Sequence, residues 1–347
     1  MISIKELAWN VTEEEYRADP ALSYSTLSRF EREGWRNLSS LFDKQETPAL
    51  TFGSVVDCIL TDGREEFDRR FIVCEFPPLT DNLVKVTRSL HRMFGNEHRT
   101  IATIDEEKIS EIAASNGYYS GSSYKSLRVK KVLENCQEYY SLLSLAGERT
   151  VINQSDYDDA ITCVDELRNN NLTKAFFNVN PWETDIEKVF QLKFKASFEG
   201  IPVRCMFDEL IVDHKSKVIY PIDLKTTGYP EEEFQHSFMK WRYDIQAMLY
   251  TYILQETLKE HPYFKDFKVA HYQFIVINRR TVAPLVWIFK DNKCILDLED
   301  NQGNIYRNWR SILKDLTYYL NNSGSKYSIE ARTNGFVMEI DSLKIKR

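Results

Sequence analysis

Between Val189 and Thr227 the chain carries the pattern that most restricts its fold. Leu192, Phe194, Ala196 and Phe198 alternate with Gln191, Lys193, Lys195 and Ser197, and Glu199-Gly200 then supplies a turn. The apolar runs Val203–Val212 and Val218–Leu224 follow, separated by a short charged segment. A period of two puts one face of a strand against a core, whereas a helix would scatter the same residues around its circumference. Three such runs joined by short turns predict an antiparallel meander. The last run ends in Asp223-Leu224-Lys225, and alternation sends Asp223 and Lys225 to the same face.

The remaining elements are arranged around that sheet. A helix is expected from about His236 to Lys259, with Trp241, Ile245, Met248, Leu249, Tyr252 and Ile253 as its apolar stripe. Val269–Ile277 and Val282–Phe289 read as two further strands. The order β-β-β-α-β-β gives an α/β (α+β) class, a mixed central sheet flanked by helices. Residues 300–322 close the fold as a helix, and no pattern is evident after Ser323.

Residues 1–75 read as helices with loops, among them Ser23–Phe30, with hydroxyl caps available, and Thr51–Leu60. Residues 76–180 read as mostly helical, broken at Pro77-Pro78 and at the turn-like Tyr118–Tyr124. Ser155-Asp-Tyr-Asp158 resembles a capping box before a helix running to about Leu167. We therefore expect a helical region 1–180 that contributes to the site, a core over 181–322 and a tail over 323–347, all within one integrated domain.

Composition sets outer limits. The 347 residues are 43% hydrophobic and 13% aromatic, enough for a sizeable core, and 28% charged. No apolar run approaches the roughly eighteen residues of a membrane span. The opening Met-Ile-Ser-Ile-Lys-Glu does not read as a signal peptide. Six scattered cysteines without a C-x-x-C pair suggest reduced thiols and a cytoplasmic location. The net charge of −7 argues against a broadly basic nucleic-acid-binding surface but not against a local one. The basic run Lys125–Lys131 reads as a solvated helix face.

The chemistry gathers at the strand ends. Asp208 closes one apolar run, and Asp223 and Lys225 close the next. Two carboxylates brought together repel unless positive charge sits between them, and a divalent cation with oxygen ligands supplies it. Gln246 and Tyr250 lie four residues apart on the next helix, with Tyr243 extending their row. They read equally as helix-edge packing or as a polar ledge beside the lysine.

Asp208, Asp223-x-Lys225 and Gln246-x-x-x-Tyr250, in that order, resemble the PD-(D/E)xK nuclease superfamily in its RecB-like branch. Tyr24-Ser-Thr-Leu-Ser-Arg-Phe30 and Thr51-Phe-Gly53-Ser-Val-Val-Asp57 are similar to the opening of phage exonucleases of the exonuclease VIII (RecE-type) group. The likeness spans about residues 20–290 and implies a restriction-endonuclease-like core. It further implies that Asp208, Asp223 and the Leu224 carbonyl bind Mg²⁺ or Mn²⁺, and that Lys225 orients the attacking water or stabilises charge. Gln246 and Tyr250 would support them. Glu187, at the start of the first strand, and Thr226 and Ser25, inside the quoted motifs, complete the candidates.

At Asp57 the branch usually has histidine. Aspartate is a hard oxygen ligand, so Asp57 is expected as a third carboxylate on the metal. Some relatives hold an iron–sulfur cluster through late cysteines. Only Cys294 lies in the last third here, and no cluster is expected. The implied activity is double-stranded DNA exonuclease in phage recombination, in the host cytoplasm. DNA is the implied partner, with a single-strand annealing protein and a ring-like homo-oligomer also implied. A helicase-associated or nicking nuclease, and a DNA-binding protein that kept the fold without turnover, are the alternatives.

Overall fold

The computed structural model describes residues 1–337 apart from Lys44, Glu46, Arg99, Asn301 and 323–326. Two short strands precede the main sheet, β1 (Phe71–Cys74) and β2 (Thr150–Asn153), and they pair in parallel. The main sheet consists of β3 (Ile186–Phe198), β4 (Ile201–Asp213), β5 (Val218–Thr227), β6 (Lys268–Val269), β7 (Tyr272–Asn278) and β8 (Leu285–Phe289). Its order is β3-β4-β5-β7-β8, with β6 also pairing with β5. The β3–β4–β5 meander is antiparallel, while β6 and β7 run parallel to β5. The sheet is therefore mixed and flanked by helices, the α/β class expected.

The turn between β3 and β4 is Glu199-Gly200, both with positive φ (49° and 83°), the handedness a two-residue hairpin requires. Pro221 explains why the expected strand 269–277 is divided. Val218 and Ile219 pair with Lys268 and Val269, and pairing resumes at Ile222 with Gln273. Opposite Tyr220-Pro221 the neighbour carries one extra residue, at a point where proline has no N–H to offer.

One face of the sheet packs under the Tyr24–Glu33, Tyr243–Lys259 and Trp309–Asn321 helices, around Phe207, Leu249, Phe274 and Trp309. The other face meets the Pro48–Asp57 and Gln154–Asn169 helices through Ile222, Ile275 and Ile277. The helices between residues 81 and 146 enclose one further apolar cluster, and a smaller one lies between them and the β1–β2 pair.

Several expectations are corrected. The helix expected from His236 to Lys259 is two helices, Phe234–Trp241 and Tyr243–Lys259, separated by Arg242 in the left-handed conformation (φ 58°, ψ 48°). That conformation costs a non-glycine residue about 1–2 kcal/mol. It is held by the buried guanidinium, which donates to both Asp244 oxygens (3.0 and 2.9 Å), to Glu31 (3.2 Å) and to the Arg307 carbonyl (2.6 Å). Trp241, assigned to the apolar stripe, is instead 41% exposed.

The helix after β2 starts at Gln154 and is capped by Asn153, whose side chain accepts from the Ser155 N–H, so the capping box at Ser155 does not form. Ser23 precedes the Tyr24–Glu33 helix without a side-chain capping bond. The closing helix is shorter than expected, and β1 and β2 fall within regions read as helical. In the basic run, Lys125, Lys130 and Lys131 are solvated and ion-paired as a helix face. Arg128, however, is buried on Ser110 and the Tyr119 and Gly121 carbonyls. Of the tail, Ile329–Thr333 forms a short helix, and residues 338–347 lie outside the described residues.

Candidate active site

The site forms where two paired strands part. The β4–β5 ladder runs from Asp213–Val218 to Glu209–Ile222 and stops. Asp208 and Asp223 are the first residues beyond that last pair, so both stand at the fork. The Leu224 N–H donates to Asp208 Oδ2 at 2.9 Å. β5 keeps its other neighbour, pairing with β7 as far as Thr227, so the backbone carrying Asp223, Leu224 and Lys225 is fixed from one side.

Alternation sends Asp223 and Lys225 toward the Tyr243–Lys259 helix. Lys225 Nζ lies 2.6 Å from Asp223 Oδ2 and 4.6 Å from the centre of the Tyr243 ring, an ion pair backed by a cation–π contact. Gln246 Nε2 donates to Asp223 Oδ1. The other amide atom, Gln246 Oε1, is buried with no hydrogen-bond partner among the described residues. Tyr250 is buried one turn further on, its ring edge-on to Phe207 at 5.3 Å, and burial raises its phenol well above the ordinary range. Gln246 and Tyr250 thus belong to a helix buried around nearly its whole circumference from Asp244 to Thr251, not to an edge beside a stripe.

Asp57 arrives from the opposite face of the sheet. Its helix approaches β5 closely at Gly53, where an added Cβ would stand 3.1 Å from Thr226 Oγ1. Thr226 is therefore a packing contact for the helix. Residue 57, one turn on from Gly53, shares its face. Asp57 is the last residue of the α-helix, and a π-helical turn, Cys58–Asp62, follows it directly. Such turns are often found at functional sites. Asp57 Oδ1 is buried without a hydrogen-bond partner. Oδ2 accepts from Gln191 Nε2 at 2.8 Å.

Gln191 is a site residue that the sequence reading missed. It stands opposite Asp208 in register, between the pairs Phe190–Glu209 and Leu192–Phe207, but in the left-handed conformation (φ 54°) in mid-strand. Backbone strain of this kind is held by its surroundings and gathers at functional sites. In sequence, Gln191 is one polar residue of an alternating strand and gives no sign of it. Tyr24 is the other addition. Its ring is 6.1 Å from that of Tyr243, and its hydroxyl donates to the Trp241 carbonyl at 2.8 Å. Ser25, its neighbour, bonds instead with the Ser23 hydroxyl at 2.9 Å.

Glu187 lies apart from this cluster. It pairs with Val212, four residues along β4 from Asp208, about 13 Å at strand spacing. Its carboxylate accepts from the Ser3 hydroxyl and from the Ile4 N–H at 3.1 Å, and lies 3.2 Å from His214 Nε2. It ties down the start of the chain.

The electrostatics follow from crowding. Burial, then the charge of Asp62, raise Asp57 to about 7 against the pull of Arg70. Burial, then Asp223 and Asp57, raise Asp208 well above the usual carboxylate range. Burial works against the charge of Lys225, but Asp223, Tyr243 and Asp208 outweigh it and hold the ammonium above its ordinary value. One lysine thus faces three carboxyl groups, and burial holds Asp57 and Asp208 toward their neutral forms.

The donors available to a cation are all hard oxygens: Asp57, Asp208, Asp223 and the Leu224 carbonyl. They suit Mg²⁺ or Mn²⁺ in kind, and the buried, unpartnered Asp57 Oδ1 is an oxygen such a cation would engage. Among the described residues, no three Asp, Glu, His or Cys side chains close on one point as a preformed cage, because Asp223 is turned to Lys225 and Gln246 and Asp208 to the Leu224 N–H. The six cysteines are all unpaired thiols. No helix among the described residues is long and apolar enough to cross a membrane.

No protein-family model matches the chain, and no curated protein matches it. Among solved structures, a chain from Eubacterium rectale described as "Putative exonuclease" is similar over 95% of this chain and 88% of that one, at 13% identity and a TM-score of 0.41. A likeness of that size fixes neither family nor chemistry, so the function is argued from the forked-strand site.

Proposed function

We propose that this protein is a divalent-metal-dependent nuclease that hydrolyses phosphodiester bonds in DNA. The observation that carries the reading is the fork itself: Asp208, Asp223 and Lys225 converge there with Asp57, whose Oδ1 is buried without a partner. Asp57, Asp208, Asp223 and the Leu224 carbonyl would hold Mg²⁺ or Mn²⁺. The bound ion supplies charge neutralisation at the phosphate and a more acidic water. Lys225, anchored by Asp223 and Tyr243, would orient an attacking water or meet the charge developing on the phosphate oxygens. Gln246 fixes the Asp223 carboxylate, and Tyr250 excludes water behind it.

The finer reading is an exonuclease acting on double-stranded DNA in phage recombination. It is supported by the order of the motifs from Tyr24 to Tyr250 and by nothing independent of them. Linear, nicked and circular duplex DNA, each incubated with Mg²⁺, Mn²⁺ or EDTA, test both levels. We expect metal-dependent loss of linear duplex alone, abolished in Lys225→Ala. Cleavage of circles would replace the exonuclease by a nicking enzyme. Absence of cleavage under every condition, or equal cleavage by Lys225→Ala, would remove the catalytic assignment.

A further inference from the structure

Beside the fork lies a surface that the catalytic reading does not use. Trp241 ends the Phe234–Trp241 helix and is 41% exposed. Two cations flank its ring: the Arg32 guanidinium carbon and Lys240 Nζ each lie 5.1 Å from its centre. Both are exposed, and neither has a carboxylate partner among the described residues. The acids nearest in sequence to Arg32 are already engaged, Glu31 by Arg242 and Arg307 and Glu33 by Arg29. In a chain of net charge −7, two free cations on one exposed indole are a local reversal of sign.

The ledge is joined to the site through rigid contacts. The Tyr24 hydroxyl holds the Trp241 carbonyl, the Tyr24 ring packs on Tyr243, and the Tyr243 face carries Lys225. The left-handed turn at Arg242 is what turns the indole outward while Tyr243 points in.

We propose that Trp241, Arg32 and Lys240 form a stacking platform for an unpaired nucleobase of the DNA strand next to the phosphate at Lys225. The aromatic face takes the base whatever its identity, and the two cations take the flanking phosphates. This assignment rests on the nuclease reading for its substrate. It goes beyond that reading in giving the enzyme a grip on a frayed or single-stranded end.

Binding in EDTA separates the two ideas, because nothing turns over. The probe is a short fluorescein-labelled oligothymidylate, measured by anisotropy at several salt concentrations. Trp241→Ala should weaken binding about 5- to 100-fold, the range for loss of one base–aromatic stack, and Trp241→Phe should restore most of it. Arg32→Gln with Lys240→Gln should flatten the dependence of log K on log salt by about 1.4, the value for two phosphate contacts on a single strand. If wild type does not bind the oligonucleotide, or Trp241→Ala binds it as tightly as wild type, the platform is wrong, even if metal-dependent cleavage is observed. If the platform variants lose binding while wild type cleaves nothing with any metal, the platform stands and the nuclease reading falls.

Discussion

Asp57→Asn should stabilise the metal-free protein in alkaline solution and leave it nearly unchanged in acid. Burial and the charge of Asp62 raise Asp57 from an ordinary 3.8 to about 7 in the folded chain. Between those values the folded chain keeps the proton that the unfolded chain has lost. The stability this contributes is fully present below pH 4 and is lost as pH rises through about 7. The gap corresponds to about 4 kcal/mol. Asp57 keeps part of its surface in water, which screens the field, so about half of that, ~2 kcal/mol, is the expected gain at pH 8. Asparagine retains an oxygen to accept from Gln191 and carries no charge. In a chain of this size the gain is roughly 3 °C in melting temperature. Calorimetry of wild type and Asp57→Asn in EDTA at pH 4 and pH 8 reads it directly. Equal shifts at both pH values, or a lower melting point for the variant at pH 8, would refute the charge-crowding argument.

Two further perturbations probe the frame around the fork. Arg242→Ala leaves Asp244 buried without its cation, while Glu31 keeps Arg307, and urea unfolding should register a loss of about 3–5 kcal/mol; a loss below about 1 would mean the network is not what holds the helix break. Gln191→Gly removes the bond to Asp57 but relieves the left-handed backbone, so stability should stay within about 1 kcal/mol of wild type. Its affinity for Mn²⁺ should nonetheless fall about tenfold, as when a group that orients a ligand is removed. A large stability loss with unchanged Mn²⁺ affinity would make Gln191 a structural residue only.

The meander was legible because alternation has a period no helix shares. Asp208 and Asp223 stood out because each follows an apolar run, and alternation carried Lys225 with Asp223, but that they lie inside β4 and β5 where the two strands part was not visible. The relation between Gly53 and Asp57 could be read as a motif, but its reason could not: the close approach to Thr226 is a contact between residues far apart in sequence. The break at Arg242 was hidden for the same cause. Nothing local distinguishes an arginine that continues a helix from one that leaves it to reach Glu31 and Arg307. Trp241 was consequently placed in the core when it faces solvent. Gln191 occupied a polar slot of an alternating strand, and its left-handed backbone and bond to Asp57 exist only once the Pro48–Asp57 helix is docked. Pro221 was visible, but its effect was not, since that effect falls on the neighbouring strand.

The central claim is that the fork holds a divalent cation between carboxylates delivered from both faces of the sheet. Titration with Mn²⁺ followed by electron paramagnetic resonance tests it without any substrate. Saturable Mn²⁺ binding in wild type that is lost in Asp208→Asn and Asp223→Asn and weakened in Asp57→Asn is the predicted result. No saturable binding in wild type, or binding that survives both Asp208→Asn and Asp223→Asn, would contradict it.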